Sequence, residues 1–248
     1  MDVTIVGPGR LGTALAKTLK AHGVAVTGPL KKGDAISGKV VVLAVPDREI
    51  ANVVKLVPKE SIVGHTAGAL TLEVLGKREA FSMHPLMTAA DDAADFSGAS
   101  AAIAGTSDRA RKLARALATK LGMNPIDVPD AERVAYHAAA SIAANFLVTL
   151  ETIAERVGER AGVNRRHLLP LARAALENWA SLGPVALTGP IARGDEATVK
   201  RQRAEIKAHA PQYLAAWDAM AKVTKAIAKE EAARLAAHNS GKIKTIKK

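Results

Sequence analysis

Gly7-Pro8-Gly9-Arg10-Leu11-Gly12 follows directly on the apolar run Val3 to Val6. The pattern reads as a buried strand, a tight glycine turn and the first turn of a helix. Each glycine has its own reason to be there. Gly7 allows the sharp exit from the strand. Gly9 lets the backbone approach a ligand closely, and Gly12 lets the helix pack against the strand. Unpaired backbone N–H groups at such a helix start, helped by the helix dipole, face and attract an anion. A Gly-x-Gly-x-x-Gly match is weak alone. Between a strand and a helix it points to the pyrophosphate of a dinucleotide.

The same region speaks to which dinucleotide. The helix runs through Leu15, Leu19 and Ala21 to Gly23, and Val24-Ala25-Val26-Thr27 reads as the second strand. A carboxylate near the end of that strand would bind the ribose 2′-OH of NAD. The chain instead reads Gly28-Pro29-Leu30-Lys31-Lys32-Gly33. Lys31 and Lys32 would attract a 2′-phosphate, and Arg10 could add a planar fork, so NADP is expected over NAD. Solvated loop charges would account for the lysines but not for the missing acid.

Composition bounds the rest. The chain has 248 residues, 48% of them hydrophobic, enough for one large domain or two modest ones. It has no cysteine, which excludes disulfides, thiolate catalysis and cysteine-bound metal and fits a cytoplasmic protein. No apolar run is expected to span a bilayer, and no signal-like start is evident. The formal charge of +11 invites a nucleic-acid reading, but aromatics are only 3%, leaving few platforms for base stacking. The tail lysines Lys242, Lys244, Lys247 and Lys248 read as a solvated end.

The chain divides near Pro129. Before it, strands and helices alternate. Lys39 to Val45, Ser61 to His65, Ala80 to His84, Ala99 to Ala104 and Ile126 to Val128 read as strands. Helices are expected at Ile50 to Leu56 and at Arg109 to Leu121, the latter capped by Ser107 or Asp108. This alternation predicts a doubly wound sheet over residues 1–129. Over residues 130–248 the strand signals vanish. Helices are expected over Ala131 to Ala161, Arg165 to Leu182 (with Pro170 a kink or a late start), Glu196 to Ala208 and Pro211 to Ala237. Gly183 to Gly194 is expected as a loop. The long alanine-rich helices suit close packing and a homodimer through this part.

The glycine turn is joined by Val45-Pro46-Asp47, His65-Thr66-Ala67-Gly68, His84-Pro85-Leu86, Tyr136-His137 with Asn145, and Leu187-Thr188-Gly189-Pro190-Ile191-Ala192-Arg193-Gly194-Asp195 followed by Thr198-Val199. Together these resemble the bacterial family that joins a Rossmann-like domain to a helical C-terminal domain, the domain of unknown function 2520. The family is distantly similar to ketopantoate reductase, pyrroline-5-carboxylate reductase and prephenate dehydrogenase. The resemblance implies an α/β Rossmann-type domain followed by an all-α domain of the 6-phosphogluconate dehydrogenase C-terminal type. It also implies an NADP-dependent oxidoreductase with its active site between the domains, some members looking like an alternative ketopantoate reductase. The chain departs from the family pattern at Ala67, where a serine is usual, at Ala144, where a small hydroxyl is common, and near Gln202, where a histidine is common.

Residues at the carboxyl ends of parallel strands face the ligand crevice. The cofactor set expected on this basis is Gly7, Pro8, Gly9, Arg10, Leu11 and Gly12, with Lys31, Lys32, Val45, Pro46, Asp47, His65 and Thr66. His84 is the best candidate for an acid or hydrogen-bond donor, because imidazole titrates near neutrality. His65 reads more as a packed crevice wall. His137, Ser141 and Asn145 are spaced four apart, so they share a helix face, and Asn145 could hold substrate or the nicotinamide carboxamide. No carboxylate or second histidine completes a metal set there. Thr188 could orient substrate, Arg193 could bind its carboxylate, and Asp195 could cap the next helix. The expected function is hydride transfer between NADP and a small, anionic carbonyl or imine compound. A non-catalytic dinucleotide-binding sensor or assembly protein is the alternative, and nucleic-acid binding the weakest reading.

Overall fold

The structure, a computed structural model, describes residues 2–88 and 94–246, with side chains up to residue 238. The tail residues Lys247 and Lys248, and the side chains of Lys242 and Lys244, lie outside the described residues.

Seven strands form one sheet. They are β1 (Asp2–Val6), β2 (Ala25–Leu30), β3 (Val40–Leu43), β4 (Ile62–His65), β5 (Ala80–Leu86), β6 (Ser100–Gly105) and β7 (Asn124–Asp127), in the spatial order β2-β1-β3-β4-β5-β6-β7. All neighbouring pairs are parallel except β5 and β6, which run antiparallel. An antiparallel neighbour needs no crossover helix. The expected doubly wound sheet therefore carries a reversed pair near one edge.

Both faces of the sheet are covered, which is why its strands read as continuous apolar runs. On one face Val3, Ile5 and Val42 pack with Leu15 and Leu19 of α1 (Arg10–Ala21) and with Leu117 of α3 (Asp108–Lys120). On the other face Val41, Leu43 and Val63 pack with Ile50 of α2 (Asp47–Val53) and with Leu72 and Leu75. Ser107 caps α3 by accepting from the Ala110 amide at 3.1 Å, which settles the choice between Ser107 and Asp108.

One boundary differs in an instructive way. Gly28-Pro29-Leu30 was expected outside the second strand, yet β2 runs through all three. The register slips between Thr4 and Val6, and Leu30 pairs with Val6 across the irregularity. Gly28 has φ +96°, and a Cβ there would lie 2.4 Å from the Ile5 carbonyl oxygen. An edge strand tolerates the proline because its missing N–H faces no partner strand. Helix α2 also starts earlier than Ile50, at Asp47, with Pro46 preceding it.

The chain falls into two compact units, residues 1–145 and 146–248. The last strand ends at Asp127, and α4 (Arg133–Ser141), beyond the expected division near Pro129, belongs with the sheet unit. A π-helical turn covers Ile142–Phe146 within the expected helix Ala131 to Ala161. The second unit contains α5 (Leu147–Gly158), α6 (Arg165–Leu182), α7 (Gly189–Arg193), α8 (Glu196–His209) and α9 (Leu214–Ile246). One alternative is settled there and one reading is corrected. Pro170 lies inside α6, which starts at Arg165 as expected, behind a capping box between Asn164 and His167, so the late start is ruled out. The expected loop Gly183 to Gly194 contains α7, stopped by left-handed Gly194.

A further correction concerns hydropathy. The helical run Asp130–Ala161 is long and apolar enough, by length and composition, to cross a membrane, its most apolar 18-residue window averaging 1.2. No such run was expected from the sequence. The low charge density between Arg133 and Glu151 is what the sequence reading overlooked.

Candidate functional site

The strand order reverses at β1, so a crevice opens at the carboxyl ends of β1 and β3. The glycine turn leaves β1 there, and Val45-Pro46-Asp47 leaves β3. The three glycines divide their work as geometry requires. Gly7 has φ +115°, and a Cβ on it would lie 2.3 Å from the Ala44 carbonyl oxygen. A Cβ on Gly12 would lie 2.0 Å from the Gly7 carbonyl oxygen. Both are therefore packing glycines. Gly9 differs, because a Cβ on it would meet nothing within 4 Å. It stands at the N-cap of α1 with no side-chain cap, so the backbone N–H groups of the first turn open towards the crevice. A tight cradle with one uncrowded glycine and uncapped amides fits a dinucleotide pyrophosphate.

The crevice holds about 430 Å³ and is lined by Gly9, Arg10, Leu11, Val45, Pro46, Asp47 and Thr66, together with Ala67, Gly68, His84 and His137. Seven of the expected cofactor residues meet here. Pro8 is exposed beside them, and Gly7 and Gly12 shape the turn from behind. His65 does not line the crevice. It is fully buried, its Nδ1 accepts from the Ala67 amide at 3.2 Å, and burial, with Arg133 adding to it, lowers its pKa to about 4. It is a neutral residue behind the crevice that shapes the turn into Thr66. Lys31 and Lys32 are exposed just past β2. The acid absent from the expected position is present as Asp34, whose carboxylate accepts from the Lys31 amide at 2.7 Å and so closes the turn carrying the lysines.

His84 lies on β5 at the wall this crevice shares with a second pocket of about 600 Å³. That pocket is lined by His84, Leu86, Met87, Tyr136, His137, Ser141 and Asn145, among others, all in the first unit. The polar stripe expected along the helix is thus gathered on one cavity. The π-helical turn includes Asn145, and such wide turns re-aim side chains at functional sites. The Nδ1 of His84 is 2.8 Å from the Tyr136 hydroxyl, with the rings edge-on at 5.7 Å. The His137 ring is 6.0 Å away. A Cβ on Gly68 would lie 2.3 Å from His137 Cδ2 and 3.0 Å from His84 Nε2, so glycine there makes room for both rings.

Selection of His84 for its near-neutral titration is corrected by its surroundings. Burial, then the nearby His137 and Arg133, lower its pKa to about 4, so the ring is uncharged at neutral pH.

Sequence reasoning missed Arg133. Its side chain is fully buried. It donates to the Ser82 hydroxyl and, at 3.4 and 3.5 Å, to the carbonyl oxygens of Ala67 and Gly68, with Asp130 3.8 Å away. It therefore ties the Ala67-Gly68 turn to β5. The available signal was an arginine one helical turn before Tyr136 in an otherwise apolar stretch. Thr188 and Arg193 lie in the second unit, Thr188 at the N-cap of α7 without a side-chain cap bond and Arg193 exposed in its last turn. Asp195 caps α8 by accepting from the Thr198 amide at 3.0 Å.

The family model described as "Domain of unknown function (DUF2520)" matches residues 99–224. The chain belongs to the DUF2520 family. No curated protein matches it. Among solved structures, this DUF2520 protein resembles a candidate NADP oxidoreductase of Bacteroides fragilis (20% identical, covering 90% of this chain and 97% of that one, TM-score 0.77). It also resembles protein TM1727 of Thermotoga maritima (23%, 92% and 99%, 0.74) and an imine reductase of Streptomyces aurantiacus (13%, 93% and 99%, 0.67). These likenesses establish for the DUF2520 chain the fold it shares with these three structures.

Proposed function

We propose that this DUF2520 protein is an NADP-dependent reductase of a small, anionic carbonyl or imine compound. The observation that carries the reading is the position of His84, in the wall common to the dinucleotide crevice and the second pocket. A donor bound in one and an acceptor in the other would meet beside His84, with the His137 ring alongside.

The backbone of Gly9, Arg10 and Leu11 would hold the pyrophosphate, Lys31, Lys32 and Arg10 the 2′-phosphate, and Asp47 and Thr66 the nicotinamide end. When bound, the reduced nicotinamide supplies hydride to an electrophilic carbon. His84 faces the developing negative charge with an N–H, and Asn145 orients the substrate. Thr188 and Arg193 are assigned to the substrate, Arg193 to its negative charge. Calorimetry with NADPH and NADH, followed by NADPH oxidation over 2-oxo acids including ketopantoate and over cyclic imines, tests the reading. No uptake of either coenzyme would end it.

The second unit supports a homodimer. Its only buried apolar side chains among the described residues are Ile206 and Ala210, whereas Leu171 is 70% and Trp179 64% exposed. Apolar surface on this scale belongs against another surface. The same demand accounts for the apolar stretch after Asp130 without a membrane, since His137, Ser141 and Asn145 stand along it. Light scattering that gives a monomer at micromolar concentration would remove the dimer.

A further inference from the structure

We propose that the Tyr136 hydroxyl fixes His84 as a neutral Nε2–H donor, and that the second pocket is therefore built for a ketone or 2-oxo compound rather than a protonated cyclic imine. The inference rests on the reductase reading above and deepens it.

The hydrogen bond between Tyr136 and His84 Nδ1 spans 2.8 Å and admits two arrangements. Either the phenol donates to a bare Nδ1, or Nδ1–H donates to the phenol oxygen. A phenol is a far stronger acid than a neutral imidazole N–H, and imidazole nitrogen is a better acceptor than phenol oxygen. The first arrangement is the stronger, and it places the ring proton on Nε2. Nε2 lies beside Gly68, where a Cβ would come within 3.0 Å of it, on a ring that lines both cavities. Apart from the Tyr136 phenol bonded to it, the charged and titratable groups facing the ring act against an imidazolium. These are Arg133 and His137 beside Tyr136 on α4, and His65 on the adjacent strand β4.

Two consequences select the substrate. A carbonyl oxygen has lone pairs to accept from Nε2–H, whereas a protonated imine nitrogen has none and would set N–H against N–H. No acidic side chain stands among the described residues lining the pocket, while the Arg133 guanidinium is buried behind it. A cationic substrate is disfavoured there, and a developing alkoxide is favoured. A bound reduced nicotinamide would supply hydride to the carbonyl carbon and be oxidised in doing so. The C=O π pair moves onto oxygen, and the Nε2 proton follows to give the alcohol. The Tyr136 proton crosses to Nδ1, leaving a neutral ring and a short-lived phenoxide; burial raises the Tyr136 pKa and opposes that anion, and the nearby Arg133 charge acts the other way. Water returns the proton. His84 is the catalytic residue and Tyr136 the positioning residue.

The test combines two readouts on the full chain. In ¹⁵N-histidine-labelled protein without coenzyme, the His84 ring is expected as the Nε2–H tautomer. Tyr136→Phe is expected to mix the tautomers while leaving the melting temperature and NADPH affinity unchanged. In turnover, 2-oxo acids are expected to exceed cyclic imines at least tenfold in kcat/KM. Tyr136→Phe should lower kcat about tenfold with KM within twofold. An Nδ1–H tautomer in the wild type, imine turnover equal to or above that of 2-oxo acids, or turnover of neither class with NADPH bound would overturn the proposal. Failure to bind NADPH would instead overturn the reductase reading, and the tautomer would still be measured independently.

Discussion

Arg133 and Ser82 form one of two parallel ties between α4 and β5. The guanidinium donates to the Ser82 hydroxyl, and three residues on along the helix Tyr136 meets His84, two residues on along the strand. A strand places i and i+2 on one face and a helix places i and i+3 on one face, so the two ties reinforce each other. The orientation of His84 is thus set by a buried ion one step away. Arg133→Met would leave Ser82 and the Ala67 and Gly68 carbonyls without their donor, and Asp130 without its cation. A loss of about 2–3 kcal/mol in urea unfolding is expected, and a loss below about 1 kcal/mol would show that the tie is not holding the site.

His84→Ala removes the side chain, common to both cavities, that meets the Tyr136 hydroxyl. Turnover is expected to fall about 100-fold, in line with loss of a positioned proton donor, while the NADPH dissociation constant stays within about twofold. Unchanged turnover would take His84 out of the mechanism.

Gly68→Ala drives a methyl group towards the rings of His137 and His84. Both rings must shift, so turnover should drop more than stability does. The expected stability change is about 1–2 kcal/mol, the usual cost of overpacking. Thermal unfolding and kcat measured on the same preparation separate the two effects, and a fully active variant would mean that the rings are free to move.

His65 and His84 are held neutral with pKa values of about 4, whereas in the unfolded chain they titrate near 6.5. Below pH 6.5 the unfolded state binds more protons than the folded one. Stability is therefore fully present above pH 6.5 and declines as pH falls towards 4. For fully buried His65 the full effect is on the order of 3 kcal/mol. Denaturation midpoints from pH 7 to pH 4 should fall steeply, and less so in His65→Asn. A flat profile would contradict the assigned burial.

Lys31→Glu with Lys32→Glu should reverse the attraction for a 2′-phosphate. The NADPH dissociation constant is expected to rise at least about tenfold, with NADH affected far less. The difference should shrink at high salt. Equal losses for both coenzymes would place these lysines away from the adenosine ribose, leaving Asp34 as more than a turn-closing group.

Much of this protein was legible from residue order alone, because the forces involved are local or periodic. Continuous apolar runs marked strands covered on both faces, glycines marked the turn, and Ser107 and Asp195 marked helix starts. These devices act within a few residues. The dinucleotide cradle belongs to the same class, since Gly7, Gly9 and Gly12 must lie close in sequence to do their work. What the fold alone decided are relations across distance. Only the sheet order brings the ends of β1, β3, β4 and β5 to one crevice, turns His65 inward, and buries Arg133 against Ser82, 51 residues away in sequence. Burial then changed the chemistry itself, taking His84 from a group that titrates near neutrality to an uncharged donor. A residue's identity fixes its intrinsic acidity, but the desolvation and neighbouring charge that reset it exist only once the chain has packed.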